Sequence, residues 1–568
     1  MKRRKQILAL LLTGIMCIPA MLTGCGNKEA ANSGKTEVSS QESQSKGTEN
    51  TQSEDRTLTV ALKARTNITD YEDNYLTKYL EDKLDIDLDL VLIPSDDYAT
   101  KLALMLTAQE NIPDVMLFDG DFSDQTIYQY GKNGIFLNLT DYVNDPSAMP
   151  NFNNIPEEDK ELMLSASTQV DGNVYSCPNF GPSSYNATPY RYFINQAWLD
   201  KLNLPMPTTT EELKEVLIAF RDNDPNGNGI KDEIPVYGAQ NGYYGVNTLV
   251  ALMNSFVFYG ADAANSSLTL SDDGSKVIAP YTTEGWKKGL LYMKELYDEG
   301  LISPGVFTDD QTQLKATLNL EPNTVGLVTS GDFNNWQDAA NNANFAEMKF
   351  IAPFTGPDGI CYTPCGAYVP NQCVAVSATT TKADLAIKFV DEFYDITTFY
   401  ISRYGEEGVH WTRDPEVLDG ISHPFMNVPG YEKVYIGVLN PTWGKNNNAN
   451  WAASHHFYRP RDFVEVDLSS GKEYTPEAPE HIWGENEILY SDKHPEYLLP
   501  KLRYTEEEME KILDIPGNVN TYIRQAMAEF IIGSRDIEKG WDAYLNDLEN
   551  MGLSTWIEVS QTAYDRVK

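Results

Sequence analysis

The sequence predicts an α/β protein of two or more lobes, and three observations carry that expectation. From Arg56, short β-rich runs alternate with helical periodicities as strand, helix, strand, helix, strand, the order of a parallel sheet covered by helices. A second α/β region with its own helix caps follows from Thr208. The body from Arg56 to Lys568 is also longer than one hydrophobic core normally supports.

Before that body lie two segments that do not belong to the fold. Lys2, Arg3, Arg4 and Lys5 precede an apolar run from Ile7 to Leu22, which is too short and too abruptly ended for a comfortable membrane span and reads as an export signal. It closes on Leu22-Thr23-Gly24-Cys25, which resembles the lipobox of bacterial lipoproteins, so residues 1–24 are expected to be removed and Cys25 acylated. Residues 25–55 hold no aromatic side chain and only Ala30, Ala31 and Val38 as apolar ones after Cys25. That composition cannot offset chain entropy by burial, and it predicts a disordered tether.

In the body, Leu58–Leu62 is the first strand, and Tyr75, Leu76, Tyr79 and Leu80 mark a helix over Tyr71–Leu84. Ile86, Leu88, Leu90 and Leu92 alternate as a second strand. Ser95 is placed to cap a helix faced by Leu102, Met105 and Leu106, and Asp114–Phe118 is the third strand. Thr208 or Thr209 with Glu211 or Glu212 forms a capping box before Leu213, Leu217 and Phe220. Trp286, Leu290, Met293 and Tyr297 line a helix stopped by Gly300. Val325–Val328 and Val374–Val376 are strands, Ala383–Tyr394 is a helix, and Asn518–Arg566 is mainly helical.

The formal charge of −39 repels polynucleotides and anionic lipid surfaces, so no nucleic-acid partner is expected. Six cysteines, one of them Cys17 in the signal, are too few for a disulfide scaffold; a disulfide among Cys361, Cys365 and Cys373 stays open. No phosphate loop, dinucleotide fingerprint, G-x-S-x-G or H-E-x-x-H motif occurs.

Ligands of open α/β sheets sit beyond the carboxyl ends of the strands. There the first strand ends in Lys63-Ala64-Arg65 and the third in Asp119-Gly120-Asp121, which nominates Arg65, Asp119 and Asp121. Asp332 follows Val325–Val328 in the same way, with Trp336 just after it. Trp443 and Trp451 flank an Asn-rich stretch, and Tyr185 sits in the loop from Pro182 to Pro189. Rings that stack on C–H faces beside amides that pair with hydroxyls suit a carbohydrate, although an aromatic stretch packed on the core fits the same residues. Asp222–Glu233 sets oxygen side chains at alternate positions around two glycines, a pattern for calcium. Read as a strict EF-hand it starts at Asp222 and uses Asp224, Asn226 and Glu233. The preferred register starts at Asp224 and uses Asn226, Asn228, the Ile230 carbonyl, Asp232 and Glu233, because Pro225 hinders convergence of Asp222 with Asp224. A structural calcium is expected.

The lipobox, the tether, Ile112-Pro113-Asp114-Val115, Asp171-Gly172-Asn173-Val174-Tyr175, Phe193–Leu202 and the terminus from Phe530 through Trp541, Tyr544 and Tyr564 together resemble family 1 extracellular solute-binding proteins of ABC importers. Within that family the chain is most similar to LplA/LipO-like and alginate-binding lipoproteins. The resemblance implies a two-lobed type II periplasmic-binding-protein-like fold, with mixed sheets flanked by helices and a hinge between lobes. The expected division is 56–189 and 352–415 for lobe 1, and 190–351 and 416–568 for lobe 2. It also implies a monomeric, lipid-anchored, extracytoplasmic receptor that hands an oligosaccharide to importer permease subunits without catalysis, and a calcium loop of similar spacing. A peptide receptor or sensor of the same fold and a surface carbohydrate-active enzyme are the competing classes.

Overall fold

The computed structural model describes residues 55–568 except 182–186, 241–244, 261–267, 338, 367–368, 422–433, 443–444, 452–456 and 470–480. The signal, Cys25 and nearly all of the tether lie outside the described residues, as do Tyr185 and Trp443.

The first five elements come in the expected order: β1 (Thr57–Ala64), α1 (Tyr75–Leu84), β2 (Asp87–Pro94), α2 (Tyr98–Ala108) and β3 (Val115–Leu117). α1 begins later than its periodicity suggests, because Asp70 Oδ1 accepts from the Glu72 and Asp73 amides and closes a turn first; Asn74 then caps the helix. Ser95 does not cap α2. Residues 95–97 make one 3₁₀ turn, and the Ser95 hydroxyl donates instead to the Ala64 carbonyl at the end of β1.

The chain continues through β4 (Cys177–Asn179), β5 (Arg191–Asn195), β6 (Ile234–Val236), the hairpin β7 (Thr269–Leu270) and β8 (Val277–Ile278), β9 (Val325–Ser330) and β10 (Met348–Ile351). β11 (Asn371–Val376), β12 (Trp411–Thr412), β13 (Ile436–Val438) and β14 (Glu465–Asp467) follow. One sheet runs β2-β1-β3-β11-β4, with β1, β2 and β3 parallel and β11 antiparallel to both β3 and β4. The other large sheet runs β10-β5-β9-β6, and β12-β13-β14 and the β7-β8 hairpin form two smaller ones.

Each sheet separates two apolar layers, and the period of two decides which residue enters which layer. Val60, Leu62, Val115, Leu117, Val374 and Val376 face α1 and the helix Ala383–Glu392; Ala61, Met116 and Ala375 face Tyr98, Leu102 and Leu106 of α2. In the second sheet Tyr192 and Ile194 face one layer and Phe193 the other. The Thr209–Glu212 capping box starts the helix Thr210–Asp222, and Trp286, Leu290 and Met293 point inward from the helix Glu284–Asp298, as their spacing requires. These cores are the two lobes.

The lobe boundaries differ from expectation in two places. Phe354 stays in the core of lobe 2, and Thr355 bonds back to Thr208, so the crossover comes after 352. Residues expected in lobe 2 after 416 stay in lobe 1: Ile436, Val438, Trp451, Phe457 and Tyr458 share a core with Leu58 and Val374. Tyr490 then stacks on Phe350 at 5.3 Å in lobe 2, and the terminal helices carrying Phe530, Trp541, Tyr544 and Trp556 complete that lobe. The chain therefore crosses between lobes after β4, after β10 and after β14.

Candidate functional site

At the carboxyl edge of the first sheet, the ends of β1 and β3 bring four charges together. Lys63 is 8% exposed, and its Nζ lies 2.9 Å from Asp121 and 5.8 Å from the Tyr98 ring centroid. Asp119 has φ +46 and is followed by Gly120 at +80, a turn tightened by main-chain bonds from 118–120 to the carbonyls of Gln372 and Cys373. Its Oδ1 accepts from Asn179 Nδ2 at 3.2 Å. Burial raises the Asp119 pKa, and the positive charges of Lys63 and Arg65 oppose that rise.

Arg65 is half-buried, and among the described residues its Nε has no hydrogen-bond partner. The Tyr71 hydroxyl holds the loop, accepting from the Arg65 amide at 2.8 Å and donating to the Lys63 carbonyl at 3.3 Å. A buried guanidinium N–H without an acceptor is costly unless a ligand oxygen meets it. The structure thus brings Arg65, Asp119 and Asp121 together, and adds Lys63 and Asn179. Asn179 escaped sequence reading because its strand has three residues, too few for a period.

Beside this cluster, a cavity of about 470 Å³ opens between Gly120, Phe122, Tyr128 and Gln372 of lobe 1 and Leu502 and Tyr504 of the terminal segment. Aromatic rings and amides line it, the mixture the sequence led us to seek elsewhere.

Trp336 and Trp451 are buried rather than open to a cleft, and Trp443 lies outside the described residues. Trp336 is 2% exposed and packs at 5.1 Å on both Phe193 and Phe345, so it is core of lobe 2. Trp451 is fully buried in lobe 1, with Nε1 donating to Thr77 Oγ1 at 2.8 Å. The asparagines beside it serve the leading turn of α1: Asn448 Oδ1 accepts from the Asp70 amide at 2.8 Å, and the Asn450 carbonyl from Asn74 Nδ2 at 2.9 Å. Asp332 closes a local turn, accepting from the Asn334 amide at 2.8 Å and from its Nδ2 at 2.7 Å.

In the loop after the helix Thr210–Asp222, Asp224 accepts from the amides of Gly227, Asn228 and Gly229. Asp232 accepts from Asn226 Nδ2 at 3.0 Å and from Asn228 Nδ2 at 3.1 and 2.9 Å. Asp222 is engaged by Arg221 at 2.7 and 2.9 Å. Glu233 Oε1 is buried without a partner among the described residues; burial raises this carboxyl's pKa, and the charges of Asp232 and Asp224 add to the rise. Among the described residues no group of three or more His, Cys, Asp and Glu is arranged to hold a metal by itself. A cation here would have to draw on the two asparagine oxygens and the Ile230 carbonyl as well, and the orphaned Glu233 oxygen fits that donor set.

The family pattern of the bacterial extracellular solute-binding proteins matches residues 65–395. The chain is 26% identical over 581 aligned residues to the fructooligosaccharide ABC transporter substrate-binding protein FusA of Streptococcus pneumoniae, covering 98% of this chain and 97% of FusA. Solved FusA with kestose has TM-score 0.67 at 23% identity, over 90% of this chain and 99% of FusA, and an EF-hand mutant of it with fructo-nystose has TM-score 0.68. An HMO binding, ABC-transporter associated solute binding protein from Bifidobacterium longum infantis has TM-score 0.73 at 21% identity, covering 90% and 99%. Alginate-binding protein AlgQ2, solved without calcium ion, has TM-score 0.60 at 22% identity, covering 90% and 98%. No helix among the described residues is long and apolar enough to cross a membrane. With two α/β lobes, a polar cluster at the carboxyl edge of the first sheet, and a family pattern spanning most of the body, the chain belongs to the bacterial extracellular solute-binding proteins.

Proposed function

We propose that the protein is an extracellular receptor, anchored by acylated Cys25, that captures an oligosaccharide and delivers it to an ABC importer without chemical change. The observation that carries this reading is the half-buried Arg65, whose Nε lacks an acceptor, set beside Asp119 and Asp121 at the strand ends. Sugar hydroxyls supply both the acceptor that Arg65 lacks and donors for the carboxylates. The names of FusA and the Bifidobacterium protein support an oligosaccharide. Lobes that both touch the ligand only when closed shift toward closure by the ligand's differential affinity, and the closed form is the one presented to the permease. A tether of the composition of 25–55 holds the receptor near its importer at high effective concentration.

The loop Asp224–Glu233 is read as a structural calcium site, with Asp224, Asn226, Asn228, Ile230, Asp232 and Glu233 as ligands. The register from Asp224 is supported by the engagement of Asp222 with Arg221; the positive φ of Gly227, +79, and of Gly229, +76, suits the sixth-position turn of either register.

The test is a thermal-shift screen of the folded body against neutral and acidic oligosaccharides and against peptides, with calcium and with chelator, monitored for hydrolysis. The expected result is stabilisation by an oligosaccharide without product, lost in Arg65→Ala, and a lower Tm on chelation. Turnover establishes the enzyme reading, stabilisation by peptides alone establishes the peptide receptor, and a Tm indifferent to chelation removes calcium.

A further inference from the structure

Asn226 and Asn228 are each followed by glycine. In an Asn-Gly step no side chain hinders the glycine nitrogen from approaching the amide carbon before it. The Gly227 nitrogen attacks Asn226 Cγ, a C–N bond closes a succinimide ring, the Cγ–Nδ2 bond breaks, and ammonia leaves with the glycine proton. Water then opens the ring. Cleavage of the ring bond to Cγ yields aspartate, and cleavage of the bond to the main-chain carbonyl yields isoaspartate. Amide and water become carboxylate and ammonium, and no other reactant enters. The same chemistry joins Gly229 to Asn228.

Both attacking nitrogens are occupied. Gly227 N–H donates to Asp224 Oδ1 at 2.8 Å and Gly229 N–H to Asp224 Oδ2 at 2.8 Å. A carboxylate at that distance opposes the deprotonation of nitrogen that attack requires. The leaving amides are held separately, by Asp232 at 2.9–3.1 Å. One carboxylate thus holds both nucleophiles, and a second holds both leaving groups.

We propose that Asn226 and Asn228 are latent modification sites and that Asp224 is the residue that keeps them as amides. Conversion replaces a donor facing Asp232 with a carboxylate facing it, so the loop loses its side-chain bonds to Asp232 and gains negative charge beside that carboxylate. A modified loop then depends on a cation for its fold. That consequence rests on the calcium reading above, whereas the protection by Asp224 does not.

The test ages the full chain in chelator at mildly alkaline pH and follows the peptides containing Asn226 and Asn228 by mass spectrometry, with released ammonia as a second readout. Hydrogen bonds to a charged acceptor of this kind protect by roughly tenfold or more, so the wild type should keep both amides at least that much longer than a synthetic Asp222–Glu233 peptide. Asp224→Ala should approach the peptide rate. Asp232→Ala, which frees the leaving amides but leaves the glycine nitrogens held, should stay near the wild type. Circular dichroism and Tm report whether each variant is folded. The proposal is overturned if the wild type ages at the peptide rate, if Asp224→Ala ages like the wild type, or if Asp232→Ala ages as fast as Asp224→Ala, since general loosening then explains the chemistry. Because this arm contains no metal, its outcome is independent of a separate calcium titration of Tm, and a null titration removes only the cation dependence.

Discussion

Asp119 is the residue whose surroundings most directly predict a pH response. Burial holds its pKa above the ordinary aspartate range of about 4. The folded chain therefore keeps this proton to higher pH than the unfolded chain, so stability falls as pH rises from the unfolded to the folded value and is level beyond. Asp119→Asn removes that fall. Its stability relative to the wild type should rise over that interval and stay constant above it, read by denaturant unfolding at a series of pH values; a pH-independent difference would contradict the assignment. At the same scale, Trp336 and Trp451 show why residue type alone misleads. A tryptophan suits a sugar face and a core equally, and only the neighbours Phe193, Phe345 and Thr77 decide between them.

Among the elements, the helix Asp124–Lys132 lines the cavity and is set by one close approach. A Cβ at Gly131 would lie 2.2 Å from Cγ of the Tyr175 ring, closer than any real contact. Gly131→Ala adds helix propensity of up to about 1 kcal/mol but forces the ring or the helix to move, which costs typically 1–3 kcal/mol. The variant should be less stable than the wild type despite the better helix former, measured by urea unfolding; a gain in stability would show that the ring yields freely. The helices whose caps and faces are local, such as Thr210–Asp222 and Glu284–Asp298, were legible in the sequence. β4, β12, β13 and β14 were not, because two or three residues carry no period and their pairing partners lie far along the chain.

Across the whole molecule, two ion pairs join the lobes beside the cavity: Lys501 to Asp124 at 2.7 Å and Lys132 to Glu506 at 2.5 Å. Leu502 and Tyr504 tie the segment carrying Lys501 and Glu506 to the core of lobe 2, while Ile127 ties the facing helix to lobe 1. Such solvent-accessible pairs are individually weak and weaken further with salt, as the screening length drops to about 3 Å at 1 M. The ligand-free chain should therefore change its radius of gyration with ionic strength in small-angle scattering, and Asp124→Asn with Glu506→Gln should flatten the response. An unchanged salt response in the double variant would assign the motion to other contacts.

By itself the sequence determined what depends on short range: the βαβαβ start, the capped helices, the spacing of the Asp224–Glu233 oxygens, and the expectation that Arg65, Asp119 and Asp121 stand at strand ends. The family order of motifs was legible for the same reason, since it is a property of the linear chain. Only the tertiary structure decided that Ile436, Val438 and Tyr458 stay in lobe 1, that Lys63 and Asn179 complete the charged cluster, and that Trp336 and Trp451 are buried. Those outcomes turn on which distant surfaces exclude water together, and burial between remote segments leaves no periodic mark on either one.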